Sequence, residues 1–308
     1  MATREPVPPR RITPLATPTY VPVGSGFPLT EMEIVALAKS ALDEDRAFED
    51  VTTISTVVTT RHARATLVAR APGSLAGVPL ALAAFRLVEP HVEIRIDAED
   101  GAKVAQGDTV LFLSGPARGL LSAERVALNF MQRLSGVATL TARYVEAVKG
   151  TKVQIVDTRK TTPGWRDLEK YAVRCGGGRN HRRDLSDAVL IKDNHIAICG
   201  GVGEAVRRAR GAVGHLMKVE VEVDVLDQLD EALAERPDVI MLDNFALPML
   251  REAVDRAQVS PFGRPVLEAS GGVNLQTVRG IAETGVDVIS VGALTHSAPT
   301  LDIGLDVV

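Results

Sequence analysis

Between residues 154 and 293 one pattern recurs six times, and it limits the folds open to the chain more than any other feature. The runs are QIVDTRK (154–160), AVLIKDN (188–194), MKVEVEVD (217–224), DVIMLDN (238–244), PVLEASGG (265–272) and DVISVGA (287–293). Each is a short apolar stretch that ends on charged residues or glycine. Helix-like segments separate most of them, at Glu204–Arg210, Val225–Glu235, Pro248–Ala257 and Leu275–Glu283. Strand and helix alternating every 20–30 residues is the βαβ signature of a parallel sheet. Closed barrels of this kind have eight units. Six leave a partial barrel or an open doubly wound sheet.

The polar residues sit at the carboxyl ends of the runs: Arg159 and Lys160, Lys192 and Asp193, Glu222, Asp243, Glu268 and Ser270, and Gly292. Ligands of parallel α/β folds bind at those ends, where loops vary without unpicking the core. Polar residues also mark where any strand leaves a core, so one strand alone decides nothing. Six together point to one ring-shaped site.

The first half reads differently. Residues 1–23 hold six prolines and no continuous apolar segment, which predicts an irregular arm and no targeting signal. Thr30 and Glu33 form a capping-box pattern ahead of Ile34, Leu37, Ala38, Ala41 and Leu42 at helical spacing. From about 65 to 118 the pattern turns to short strands, at Ala65–Ala71, Val92–Ile96 and Val110–Leu113, with Gly- and Pro-containing breaks. Residues 119–148 read as helical. This half is expected to be a small α+β domain that ends on helices.

Composition closes off other classes. The 308 residues are 45% apolar and 24% charged, those of an ordinary globular protein long enough for a buried core. A net charge of −4 with 4% aromatics is not that of a dedicated nucleic-acid binder. No apolar run approaches the ~18 residues needed to span a bilayer. Cys175 and Cys199 cannot build a disulfide framework, which fits a reducing cytoplasm.

Charge is unevenly spread. Residues 152–192 carry ten basic side chains and five acids, a local +5 that leaves −9 elsewhere. A basic segment in an acidic protein suits a small polyanion. For Lys170 and Arg174, an i,i+4 pair, a solvated helix face is an equal reading. Arg159, Lys160 and Lys192 are different because they sit at strand ends. Arginine offers a planar fork and lysine a point charge, so the mixture fits carboxylate and phosphate together. Glu222 and Asp243 face the same mouth as ion-pair partners, bases or ligands for Mg²⁺, which takes one or two carboxylates and completes its shell with water and phosphate. Ser270-Gly271-Gly272 and Gly292 offer backbone N–H groups to a phosphate.

The run DTRKTTPGWRDLEKYAVRCGGGRNHRRDLSDAVLIKDNHI (157–196) resembles the quinolinate phosphoribosyltransferases, the carboxylating nicotinate-nucleotide diphosphorylases. The resemblance continues through LLSAERVALNFMQRLSGVAT (120–139), VEVEV (219–223), MLDNF (241–245), EASGGV (268–273) and DVISVGALTHSAPTLDIGLDV (287–307), covering roughly 30–308. Two positions depart from the family pattern: Trp165 where an aliphatic residue is usual, and Glu49 where glycine usually precedes Asp50.

The resemblance implies transfer of phosphoribose from phosphoribosyl pyrophosphate to quinolinate with loss of CO₂. The products are nicotinate mononucleotide and pyrophosphate, in de novo NAD synthesis. Mg²⁺ is implied and no organic cofactor. The implied α/β fold is an incomplete, six-unit TIM-like barrel (137–308) behind an N-terminal α+β sandwich (24–136), with the last residues packing back on the sandwich. A cytoplasmic homodimer, or a higher oligomer, is expected, each N-terminal domain covering the other subunit's barrel mouth. Carried over by motif, Arg159, Lys160, His181 and Arg182 bind quinolinate, with Arg125 reaching in from the partner and Thr158 also in the substrate-binding set. Lys192, Glu222 and Asp243 serve ribose, pyrophosphate and, for the two acids, the metal. Ser270, Gly271 and Gly292 hold the 5′-phosphate, and Gly272, Val291 and Ala293 also belong to the substrate-binding set. Lys160, Lys192, Glu222 and Asp243 are the catalytic set.

Three rival readings are a Schiff-base aldolase using Lys192 or Lys160, a non-enzymatic anion binder on the same scaffold, and a family paralogue of another substrate, such as those found with molybdate transport. One difficulty stands: a simple crossover places Arg179–Arg183 at the start of the second strand, away from the mouth.

Overall fold

The computed structural model describes residues 26–308; the arm expected over 1–23 lies outside them. The chain opens with helix α1 (Glu31–Glu44), whose Thr30 and Glu33 form the expected reciprocal capping box. Helix α2 (Val51–Thr56) is capped by Asp50, whose side chain accepts from the Thr53 N–H.

Strands β1 (His62–Ala69), β2 (Gly73–Ser74), β3 (Glu93–Ile96), β4 (Lys103–Val104) and β5 (Thr109–Pro116) follow, interrupted by α3 (Val78–Val88). Strand signals alone did not reveal α3. It is apolar all round, and Val78 to Phe85 are all buried, as expected of a helix enclosed on every side. Its sequence lacks the polar stripe that makes a helix legible. The 31-residue α4 (Ala117–Ala147) packs against it and carries the chain into the second half.

There the six expected strands form: β6 (Gln154–Val156), β7 (Val189–Ile191), β8 (Val219–Val223), β9 (Val239–Asp243), β10 (Val266–Ser270) and β11 (Val288–Ser290). The helices between and after them are α5 (Arg166–Cys175), α6 (Asp193–Cys199), α7 (Val202–Ala212), α8 (Leu226–Glu235), α9 (Leu247–Gln258), α10 (Val278–Ala282) and α11 (Ala293–His296). The sheet is parallel, in the order β6-β11-β10-β9-β8-β7. Strands β7 to β11 add in one direction without the reversal of a doubly wound sheet, and β6 joins beyond β11. Strands β6 and β7 do not pair, so the barrel stays open between them.

The last strand, β12 (Ile303–Val307), leaves the barrel and pairs antiparallel with β1, giving the N-terminal sheet the order β12-β1-β5-β3. Among the described residues no helix is long and apolar enough to cross a membrane.

Candidate active site

The segment that breaks the simple crossover rule fills the gap in the barrel. After α5, Arg179 bridges Val156 in parallel: its N–H donates to the Ile155 carbonyl at 2.9 Å, and its own carbonyl accepts from Asp157. The chain therefore runs alongside β6 toward the mouth and delivers His181 and Arg182 there. That removes the difficulty raised by a plain strand–helix–strand path.

A cleft of about 350 Å³ opens at the carboxyl ends of the strands. Thr158, Arg159, Lys160, His181, Arg182, Lys192, Glu222, Asp243 and Ser270 all line it, together with Glu268 and Ser290. Of the other expected residues, Val291 is buried just beyond β11, where its N–H donates to the Val156 carbonyl, and Ala293 begins α11. Gly292 lies against Lys160: a Cβ there would come within 3.2 Å of Lys160 Cδ and 3.1 Å of His296 Nε2. Gly271 has φ +85°, and a Cβ would meet Asn244 Oδ1 at 2.2 Å, so the turn after β10 closes only with glycine. Gly272 also has positive φ but faces open space.

Arg125 is exposed on α4 and does not line the cleft of its own protomer.

The cleft is electrostatically divided. On one wall, burial and then the neighbouring Arg159 lower the Arg182 pKa, and Arg159 Nε is buried without a partner. Arg182 donates to the Ala188 carbonyl at 2.9 Å, and the two neighbouring guanidinium groups, one with an unspent donor, make an anion site. On the other wall Lys192 Nζ meets Glu222 Oε2 at 2.6 Å, and Asn244 donates to Asp243 Oδ2 at 2.7 Å. Glu222, Asp243 and the exposed Asp224 can bring one oxygen each within 4.8 Å of the others, a hard, all-oxygen donor set. Such a set suits Mg²⁺.

One residue of the site, Glu220, went unread in the sequence. His181 Nε2 lies 3.1 Å from Glu220 and 3.5 Å from Glu268, on strands that are not neighbours, so the curved sheet brings both carboxyls under one ring. Burial opposes a charge on His181, but the two carboxylates outweigh it and push its pKa up to about 10, while burial raises Glu220. The cluster thus keeps a proton at neutral pH. The Arg182 N–H donates to His181 Nδ1 at 2.8 Å, so the ring carries its own hydrogen on Nε2 and the additional proton of the cluster is shared with the carboxyls, where burial raises Glu220. The available signal was the i,i+2 pair Glu220 and Glu222 in an otherwise all-valine strand, which puts both acids on one face.

Comparison with known proteins agrees with this geometry. The profile described as "Quinolinate phosphoribosyl transferase, C-terminal domain" matches residues 137–306, and its N-terminal counterpart matches residues 50–135. The chain belongs to the quinolinate phosphoribosyltransferase family. It is 48% identical over 271 residues to the nicotinate-nucleotide pyrophosphorylase [carboxylating] of Mycobacterium leprae, covering 87% of this chain and 95% of that one. A probable enzyme of the same name from Bacillus subtilis is 42% identical, with coverage of 91% and 95%. Among solved structures, the nicotinate-nucleotide pyrophosphorylase of Francisella tularensis superposes with a TM-score of 0.84 at 38% identity, covering 92% of this chain and 99% of that one. NadC from Streptococcus pyogenes gives 0.83 at 41%, covering 91% and 99%. Both departures from the family pattern are absorbed locally in this member of the quinolinate phosphoribosyltransferase family: Trp165 stacks on Phe130 with centroids 5.6 Å apart, and Glu49 pairs with Arg46 on the surface.

Proposed function

We propose that the chain transfers phosphoribose from phosphoribosyl pyrophosphate to quinolinate and releases pyrophosphate and CO₂, leaving nicotinate mononucleotide for NAD synthesis. The observation that carries this reading is the divided cleft, with Arg159, its Nε unpartnered, beside Arg182 on one wall and a carboxylate pair on the other.

Arg159 and Arg182 take the two quinolinate carboxylates, with Thr158 and Lys160 beside them and the partner subunit's Arg125 completing the pocket. His181 spends both ring nitrogens within the protein, so it shapes the floor and holds Arg182 in place. The ring nitrogen attacks C1′ of the ribose, and the C1′–O bond breaks with its electron pair leaving on pyrophosphate. Positive charge develops on the sugar, where Glu222 and Asp243 stabilise it electrostatically. The quaternised nitrogen then draws in the electron pair of the breaking C2–CO₂ bond, and C2 takes up one proton. Glu222 and Asp243 would hold Mg²⁺, which when bound neutralises the pyrophosphate oxygens. Ser270, Gly271, Gly272, Val291, Gly292 and Ala293 surround the 5′-phosphate. Lys192 is engaged with Glu222, which counts against an aldolase role for it.

The deciding experiment is pyrophosphate release with quinolinate against nicotinate. A site built around two carboxylates rejects the analogue lacking one by several orders of magnitude. Turnover of nicotinate within about tenfold of quinolinate overturns the reading. Asp243→Asn, which removes charge but keeps shape, should weaken magnesium dependence and donor binding more than quinolinate binding.

A further inference from the structure

Helix α5 was expected to present Lys170 and Arg174 to solvent or to a ligand. Lys170 does neither: it is 3% exposed, and its ammonium is held by Asp157, which is fully buried just after β6. Asp157 collects three donors: Lys170 Nζ, Asn180 Nδ2 at 2.6 Å and the backbone N–H of His181 at 2.9 Å. Lys170 Nζ also donates to the His181 carbonyl at 3.0 Å, and Asn180 Nδ2 to the Lys170 carbonyl at 2.8 Å. Arg174, one turn on, donates to Asn180 Oδ1 at 2.6 Å. Every one of these bonds ends on the segment that carries His181 and Arg182 to the mouth, or on the residue that precedes Thr158 and Arg159. Neither Asp157 nor Lys170 lines the cleft.

We propose that Lys170, Asp157 and Asn180 are positioning residues that set the spacing between the Arg159 and Arg182 guanidinium groups, and so the selection of a 2,3-dicarboxylate. The two arginines arrive on separate segments, one leaving β6 and one following α5. Among the described residues, a single one-residue bridge, at Val156 and Arg179, joins those segments as a sheet would. The hub around the buried Asp157 and Lys170 is a second tie between them. A shift of about 1 Å in such a pair costs up to a hundredfold in rate or affinity. Buried ion pairs add little net stability over well-packed apolar groups, so this one is better explained by what it aligns. The inference rests on the proposed role of Arg182 in binding a quinolinate carboxylate.

The test is steady-state kinetics with each substrate varied in turn, on Asn180→Ala and on the double variant Asp157→Asn/Lys170→Met. The double variant removes both charges, because removing one would strand the other in the core. Arg182→Ala is the reference for a lost carboxylate contact. Leu168→Ala, a buried apolar residue on the same helix, is the reference for general destabilisation. Expected are a rise in quinolinate KM of about tenfold or more in both hub variants, a donor KM within about twofold, and weaker discrimination against nicotinate. Leu168→Ala should lower Tm and leave both KM values alone. An unchanged quinolinate KM in the folded Asn180→Ala protein overturns the proposal, as does a parallel shift of both KM values. Failure of the double variant to fold leaves Asn180→Ala to decide. If Arg182→Ala itself leaves quinolinate KM unchanged, the binding-site reading falls and takes the inference with it.

Discussion

Lys192 Nζ lies 2.6 Å from Glu222 Oε2, tying the residue that follows β7 to the inward face of β8. The lysine side chain is 47% exposed and the glutamate 11%, so the pair is partly screened and contributes about 0–1 kcal/mol to stability. On the proposed function its value lies at the reaction centre, with the ammonium serving the departing pyrophosphate and the carboxylate the ribose. Lys192→Ala should therefore lower turnover by about a hundredfold or more while Tm moves by no more than a few degrees. Activity within about threefold of wild type would show the pair to be a surface ornament.

Gly271 and Gly272 separate shape from backbone preference. Both have positive φ, but only at Gly271 does an added methyl strike another group, Asn244, whose side chain holds Asp243. Gly271→Ala should raise the KM for phosphoribosyl pyrophosphate by about tenfold or more with little change for quinolinate. Gly272→Ala should cost about 1–2 kcal/mol of backbone strain and shift donor KM far less. Equal effects at the two positions would contradict the packing argument.

Asp100 gives a pH dependence with a definite sign. Its carboxyl accepts from the Val78 N–H at 2.9 Å and from the Tyr171 hydroxyl at 2.9 Å, joining the N-terminal half to α5. Burial raises its pKa above the ordinary 3.8, outweighing those bonds. A carboxyl raised on folding binds its proton more tightly in the native state, so stability falls as pH rises from the unfolded value through the folded one. Asp100→Asn lacks this titration. Denaturation midpoints at pH 4 and pH 7 should show wild type losing ground to the variant as pH rises. The opposite trend would mean that the hydrogen bonds, and not burial, set the carboxyl.

Arg125 tests the assembly. It is exposed on α4 and outside its own cleft, where a second copy could reach it. Arg125→Ala should weaken quinolinate binding and leave Tm nearly unchanged. Mixing Arg125→Ala with Lys160→Ala, each inactive alone, regenerates one intact site per mixed dimer if the site is shared across a two-fold. An equilibrated equal mixture should recover about a quarter of wild-type activity. No recovery, once subunit exchange is demonstrated, would place Arg125 outside the site.

Residues that belong to one element were legible in the linear pattern. The capping box at Thr30 and Glu33 and the apolar core of all six barrel strands are local facts, set by side-chain spacing and backbone preference. Arg159, Lys160, Lys192, Glu222 and Asp243 could be placed because parallel strands put their carboxyl ends at one mouth. The direction of the Arg179–Arg182 segment was not legible, because nothing local tells a chain to run beside β6 and not to return beneath it. Three donors converging on the buried Asp157 carboxylate decide that. Nor could Lys170 be told from a surface lysine, or Glu220 from a second Glu222, since burial depends on what distant strands and helices bring alongside. The sequence by itself determined the elements and the chemistry at their ends. Only the tertiary structure decided which charges face substrate and which hold the others in place, because a buried charge must find its partner across the fold and an exposed one need not.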